Sequence, residues 1–247
     1  MACFCMKIAG VVGQVSCLFD STPFYFKSYL TEEKEDFSIC ISRDNLVFEQ
    51  AELDAEAVAE GFRFRKFTDP FLERAAIQRA FGEFLFDRGV LLMHGSAVAV
   101  DGEGYLFTAR SGTGKSTHTR LWCQLFGDRA GMINDDKPFI GLAGTEVMIY
   151  GSPWSGKHGL DSNVAVPLKG ICFLERGVEN CIHLADTQQV LPQLLKQGYC
   201  PMDAQKQEQY QNLVQQLAQR IPLWQMQCNK DLSAAKTAYE MMHHRGE

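Results

Sequence analysis

The stretch Tyr105-Leu106-Phe107-Thr108-Ala109-Arg110-Ser111-Gly112-Thr113-Gly114-Lys115-Ser116-Thr117 decides the fold. Tyr105 to Thr108 is short and apolar, as a buried strand is, and Lys115 to Phe126 carries helical spacing. Strand, glycine-rich loop and helix in that order match a phosphate-binding loop. Its glycines let the backbone curl closely and aim N–H groups inward, and the helix start adds partial positive charge. A polyphosphate thus trades its hydration for fixed donors. On this reading Arg110, Ser111, Gly112, Thr113, Gly114, Lys115, Ser116 and Thr117 surround a nucleotide. Lys115 holds its β- and γ-phosphates and the Ser116 hydroxyl ligates Mg2+. Ala109 departs from G-x-x-x-x-G-K-[ST], standing where the first glycine would, and is tolerable while its backbone angles stay ordinary. The bland alternative, a Gly/Ser turn with a chance lysine, has to ignore both the strand before it and the helix after it.

Downstream, Asn134-Asp135-Asp136 closes a short apolar strand, Gly131 to Ile133. Adjacent carboxylates at a strand end can divide labour, one binding Mg2+ directly or through water while the other takes a proton from an attacking hydroxyl. An isolated Asp-Asp is otherwise a solvated turn, and the sequence does not say which Asp takes which role. The segment Gly151-Ser152-Pro153-Trp154-Ser155-Gly156-Lys157-His158-Gly159 reads two ways. Lys157 can close over a transferring phosphate with Trp154 shaping the pocket, or the segment is a surface loop whose Trp simply packs. Glu175 and Arg176 can reach the same place from a strand end, although a surface ion pair is the simpler expectation. His118 reads as a helix-face residue, and His158, His183, His243 and His244 show no metal-ligand spacing.

In order along the chain, from about Leu91 to Arg176, stand His94-Gly95, a Gly-x-Gly hairpin at Gly102 to Gly104, the loop Ser111 to Ser116, and Asp135-Asp136. Together they resemble the HPr serine kinase/phosphorylase family and its phosphoenolpyruvate-carboxykinase-like phosphate-loop fold. The resemblance implies ATP and Mg2+ as cofactors, His94 close to the catalytic Asp, and an Asp of the pair, Asp136 or Asp135, as base. Asp135 then joins Ser116 as a metal ligand. Without the resemblance, His94 is an ordinary strand-end residue. The N-terminal region is short for that family and its downstream phosphorylase signature has no match, so a reverse reaction on phosphoserine is unsupported. The chain also looks like shorter relatives thought to phosphorylate peptide Ser residues, and the family suggests an oligomer.

The rest of the sequence bounds these expectations. At 247 residues, with 46% hydrophobic and 22% charged residues, the chain can bury a full core and is no disordered or disulfide-stapled sequence. A net charge of −6 argues against a broad nucleic-acid surface. Nine widely spread cysteines, an odd number with no C-x-x-C pair, read as free thiols in a reducing cytoplasm. No apolar run approaches a membrane span, and Ile8 to Phe19 reads as buried strand.

Two domains are expected. Residues 1–68 form a small β-rich one, with strands at Lys7 to Val12, Gln14 to Phe19, Phe37 to Ser42 and Leu46 to Glu49 and a turn at Arg43-Asp44-Asn45; Gln50 to Glu60 is helix or loop. Residues 69–247 form an α/β kinase-like domain on a mixed sheet, opening with a helix from Asp69-Pro70 and closing with helices. The function expected is transfer of a γ-phosphoryl group from ATP to a hydroxyl, that of Ser in a peptide or protein. The alternatives are a free small-molecule hydroxyl, or a nucleotide-gated binding module that transfers nothing.

Overall fold

The computed structural model describes residues 2–61, 63–201 and 203–243. By its contacts the chain divides into two compact units, Met1–Leu85 and Phe86–Glu247.

In the first unit β1 (Ala2–Ile8) and β2 (Val11–Cys17) form an antiparallel hairpin, and β3 (Phe37–Cys40) adds parallel to β2. The expected strand Lys7 to Val12 is interrupted, because Ala9 and Gly10 both take positive φ, 50° and 80°, and reverse the chain there. After the short helix α1 (Thr22–Tyr25), the helix α2 (Arg43–Glu60) overturns the expected turn at Arg43-Asp44-Asn45 and strand at Leu46 to Glu49. Asn45 serves a reciprocal cap: the Ser42 side chain accepts from the Asn45 N–H, and the Asn45 carboxamide accepts from the Ser42 N–H at 2.9 Å. Gly61, at φ 73°, ends the helix.

The helix α3 (Asp69–Phe86) lays Phe81 and Phe84 against Phe37, with ring centroids 5.0 and 3.8 Å apart. Gly13 makes room, since a Cβ there would meet the Phe81 ring at 2.5 Å. Buried Glu73 accepts from the Leu18 N–H and the Thr22 hydroxyl. These contacts put the division of the chain at the end of α3, where the sequence suggested its start. The two eighteen-residue helices outweigh three short strands, which corrects the expectation of a β-rich region.

The second unit is built on a mixed sheet. Its strands are β4 (Val90–Leu92), β5 (Ser96–Val100), β6 (Glu103–Thr108), β7 (Ala130–Asn134), β8 (Phe139–Gly141), β9 (Met148–Tyr150), β10 (Ala165–Arg176), β11 (Cys181–Leu184) and β12 (Leu223–Cys228). They lie in the order β4-β8-β9-β10-β6-β5-β7, with β12 also beside β10 and β11 beside β12. β10 runs parallel to both β6 and β12, and the remaining pairs are antiparallel. The helices are α4 (Lys115–Phe126), α5 (Thr187–Leu195), α6 (Ala204–Arg220) and α7 (Leu232–His243).

Strand alternation sorts side chains into two cores. Leu106, Ile171 and Phe173 pack with Val190, Leu194, Val214 and Leu217 of α5 and α6. Tyr105, Phe107 and Cys172 pack with Trp122, Ala235 and Ala238 of α4 and α7. This is helix, sheet, helix layering of the α/β kind. Among the described residues no helix is long and apolar enough to cross a membrane.

Candidate functional site

Topology gathers the sequence motifs at one edge of the second unit's sheet. β6 is antiparallel to β5 and β5 to β7, so β6 and β7 finish at the same edge, where β5 begins. The register agrees: Ser96 stands opposite Phe107, and Ala97 opposite Asn134. β10, parallel to β6 with Phe173 beside Thr108, ends there too. His94-Gly95, the loop after Thr108, Asp135-Asp136 and Arg176 therefore converge outside the carboxyl ends of three strands. That is where α/β sheets bind ligands.

The loop needs its glycines, Gly112 at φ 75° and Gly114 at φ 128°, a region closed to most side chains. The Thr113 N–H closes a turn onto the Arg110 carbonyl at 3.2 Å. α4 then starts with no side-chain cap, so its first amides keep donor capacity. Buried Lys115 folds back to donate to the Ala109 carbonyl at 3.1 Å. Arg110 and Ser111 are exposed, and Ser116 and Thr117 are half-buried at the helix start. Behind the loop, the Thr108 hydroxyl donates to the His94 carbonyl at 3.1 Å, and the Ser96 and Thr119 hydroxyls pair at 2.7 Å.

The paired carboxylates are held in different settings by Asn134, which is fully buried. Its Oδ1 accepts from the Asp136 and Lys137 amides at 2.7 and 2.6 Å, and its Nδ2 donates to the Ser152 carbonyl at 2.7 Å. Asp135 turns inward. It is 3% exposed, its Oδ1 accepts from the Gly156 N–H at 2.5 Å, and its Oδ2 is buried with no partner among the described residues. Burial pushes its carboxyl above the ordinary range, and the Asp136 charge adds to this against the Gly156 hydrogen bond.

Asp136 is half-buried, with Oδ1 3.3 Å from His94 Nε2. Burial alone would raise its carboxyl too. The His94 hydrogen bond and the charges of Lys137, His94 and Lys115 outweigh that and hold it below the usual value. The loop and the Asp turn both lie at this edge of the sheet, after the ends of β6 and β7.

Lys157 and His158 lie exposed on a turn closed by the Gly159 N–H on the Gly156 carbonyl at 3.0 Å, next to the amide that Asp135 holds. Trp154, 6% exposed, packs edge-on against Phe139, which leaves its ring in the core. His118 is buried with its Nε2 accepting from Trp122 Nε1 at 3.1 Å. Arg176 bonds the loop backbone, in place of the surface ion pair expected of it. Sequence reasoning missed the tying role of Asn134, although an Asn three residues before the end of an N-D-D-K turn is a familiar way to satisfy turn amides. Among the described residues no group of three or more His, Cys, Asp and Glu is arranged to hold a metal.

No protein-family model matches this chain, and no curated protein matches it in sequence. Among solved structures, it is similar to the Hpr(Ser) kinase/phosphatase from Coxiella burnetii. The identity is 10% and the TM-score 0.33, over 62% of this chain and 95% of that one. At that level the chemistry has to be read from this chain's own residues.

Proposed function

We propose that the chain is an ATP-dependent phosphotransferase of the HPr serine kinase-like type, acting on the hydroxyl of Ser in a peptide or protein. The observation that carries this reading is the meeting, at one sheet edge, of an uncapped helix start behind a glycine loop with a carboxylate, Asp136, paired to His94 at 3.3 Å. Two further features fit a nucleotide with a divalent cation. Asp135 Oδ2 is a hard oxygen with no partner among the described residues, and a Mg2+ bound mainly through phosphates needs only one or two protein ligands. Bound ATP and Mg2+ would supply the transferable phosphoryl group and neutralise its charge.

The chain's own residues do the rest. The amides of 111–116 and Lys115 hold the phosphates, Lys115 leaving the Ala109 carbonyl to do so, while Ser116 and Asp135 offer oxygens to the metal. Asp136, kept ionised, accepts the proton of the acceptor hydroxyl as that oxygen takes the phosphoryl group. His94 fixes the carboxylate's orientation. Lys157, on the exposed turn beside Gly156, is available to neutralise charge at the rim.

The test is incubation of the purified protein with Mg2+, γ-labelled ATP and fractionated lysate, following label into protein, peptide and small-molecule fractions. Label should enter a Ser-containing peptide or protein, disappear in K115A, and disappear in D136N while ATP binding survives. Full transfer by either variant, or tight ATP binding with no transfer by the wild type, would overturn the proposal.

A further inference from the structure

Because β6 stops at Thr108 opposite Phe173, the last residues of β10, Leu174 to Arg176, continue alongside the glycine loop with no β6 partner. Their backbone stays anchored on the other side, where Arg176 pairs with Cys228 of β12 and the Gly177 N–H donates to the Cys228 carbonyl at 3.0 Å. From this fixed post the Arg176 guanidinium reaches the loop. Its Nη2 donates to the Gly112 carbonyl at 2.5 Å and its Nε to the Thr113 carbonyl at 3.3 Å.

We propose that Arg176 is a positioning residue that clamps the glycine loop in the conformation that receives phosphate. A trans peptide sets each N–H opposite its own C=O, so tying a carbonyl also aims the following amide. The Gly112 carbonyl shares its peptide with the Thr113 N–H, which closes the turn on Arg110. The Thr113 carbonyl shares its peptide with the Gly114 N–H, which is thereby turned away from the guanidinium. Glycine peptides flip at little steric cost, and a loop with Gly112 and Gly114 at positive φ has to be held from outside to keep one shape. A planar guanidinium can grip two successive carbonyls at once, which an ammonium does less well. The clamp's value for catalysis rests on the phosphotransferase reading: a loop ordered beforehand does not spend binding energy on being ordered.

Hydrogen exchange of peptides covering residues 109–118, in the full chain without nucleotide, tests the clamp directly. ATP binding and steady-state kinetics on the same proteins test its use. R176A should exchange these amides faster and bind ATP more weakly, each by about tenfold, with KM raised far more than kcat is lowered; R176K should fall between R176A and wild type. Unchanged loop exchange in R176A, or full wild-type behaviour in R176K, would overturn the inference. Faster exchange in R176A supports the clamp even if the wild type binds no ATP, a result that would sink the phosphotransferase reading instead.

Discussion

Asn134 holds the Asp turn on one side and the Ser152 segment on the other, so its removal strands several buried polar groups at once. N134A should cost about 3 kcal/mol of stability, read as a lower midpoint in urea; an unchanged midpoint would contradict the tying role. Asp135 should behave in the opposite way. Its folded-state pKa is raised above the ordinary 3.8 by burial, so the protonated form is favoured on folding and the wild type loses stability as pH rises through that raised value. D135N keeps an acceptor for the Gly156 N–H and discards the charge. It should therefore melt above the wild type at pH 7, with the gap closing as pH falls through the raised pKa and gone below the ordinary 3.8, while the phosphoryl transfer proposed above is lost. Thermal scans across that range decide it. These opposed settings were not legible beforehand: Asp135 and Asp136 are adjacent residues of one type, and only the docking of Gly156 makes one an anchor and leaves the other beside His94.

The elements that sequence located best are those whose signal is local. Lys115–Phe126 falls at the expected boundaries because a glycine turn sets its start and the periodicity is unbroken after it. The sequence signal at α2 is ambiguous because Asp44 and Asn45 favour turns and helix starts alike, and the reciprocal Ser42–Asn45 bonds that choose between them use Asn where Glu or Gln is the usual signal. S42A should accordingly cost about 1 kcal/mol, measurable by chemical denaturation. Within α4, His118 sits among Phe107 and Trp122, and burial lowers its pKa from 6.5 to about 4. A depressed histidine stabilises the fold above its unfolded pKa, and that contribution is lost as pH falls from 6.5 through 4. The loss is on the order of 3 kcal/mol at full protonation. H118Q, which retains an acceptor for Trp122, should flatten this part of the stability-versus-pH curve; an unaltered slope would show that other groups carry it.

At the scale of the whole chain, each unit has a core of its own, and all three tryptophans, Trp122, Trp154 and Trp224, belong to the second unit. Tryptophan fluorescence therefore reports that unit, while far-ultraviolet dichroism reports both. I8A, at a fully buried position of the first unit, should cost that unit about 2–5 kcal/mol, and move the dichroism transition while leaving the fluorescence transition in place. Coincident shifts in both probes would mean that the units unfold together.

The division at the end of α3 was out of reach of sequence because Phe81 and Phe84 advertise only an apolar face, not which sheet it covers. The convergence on one edge was partly legible, since strand, loop, helix and strand follow one another closely, but β10's place between β6 and β12 joins segments far apart in the chain. That arrangement also orders events during synthesis. β10 gains its second parallel neighbour only when Leu223–Cys228 emerges from the ribosome, so the post that carries Arg176 is completed late. A nascent chain shorter than that carries the whole glycine loop yet lacks the strand that backs Arg176, so the loop is made well before the support of its guanidinium contact is in place.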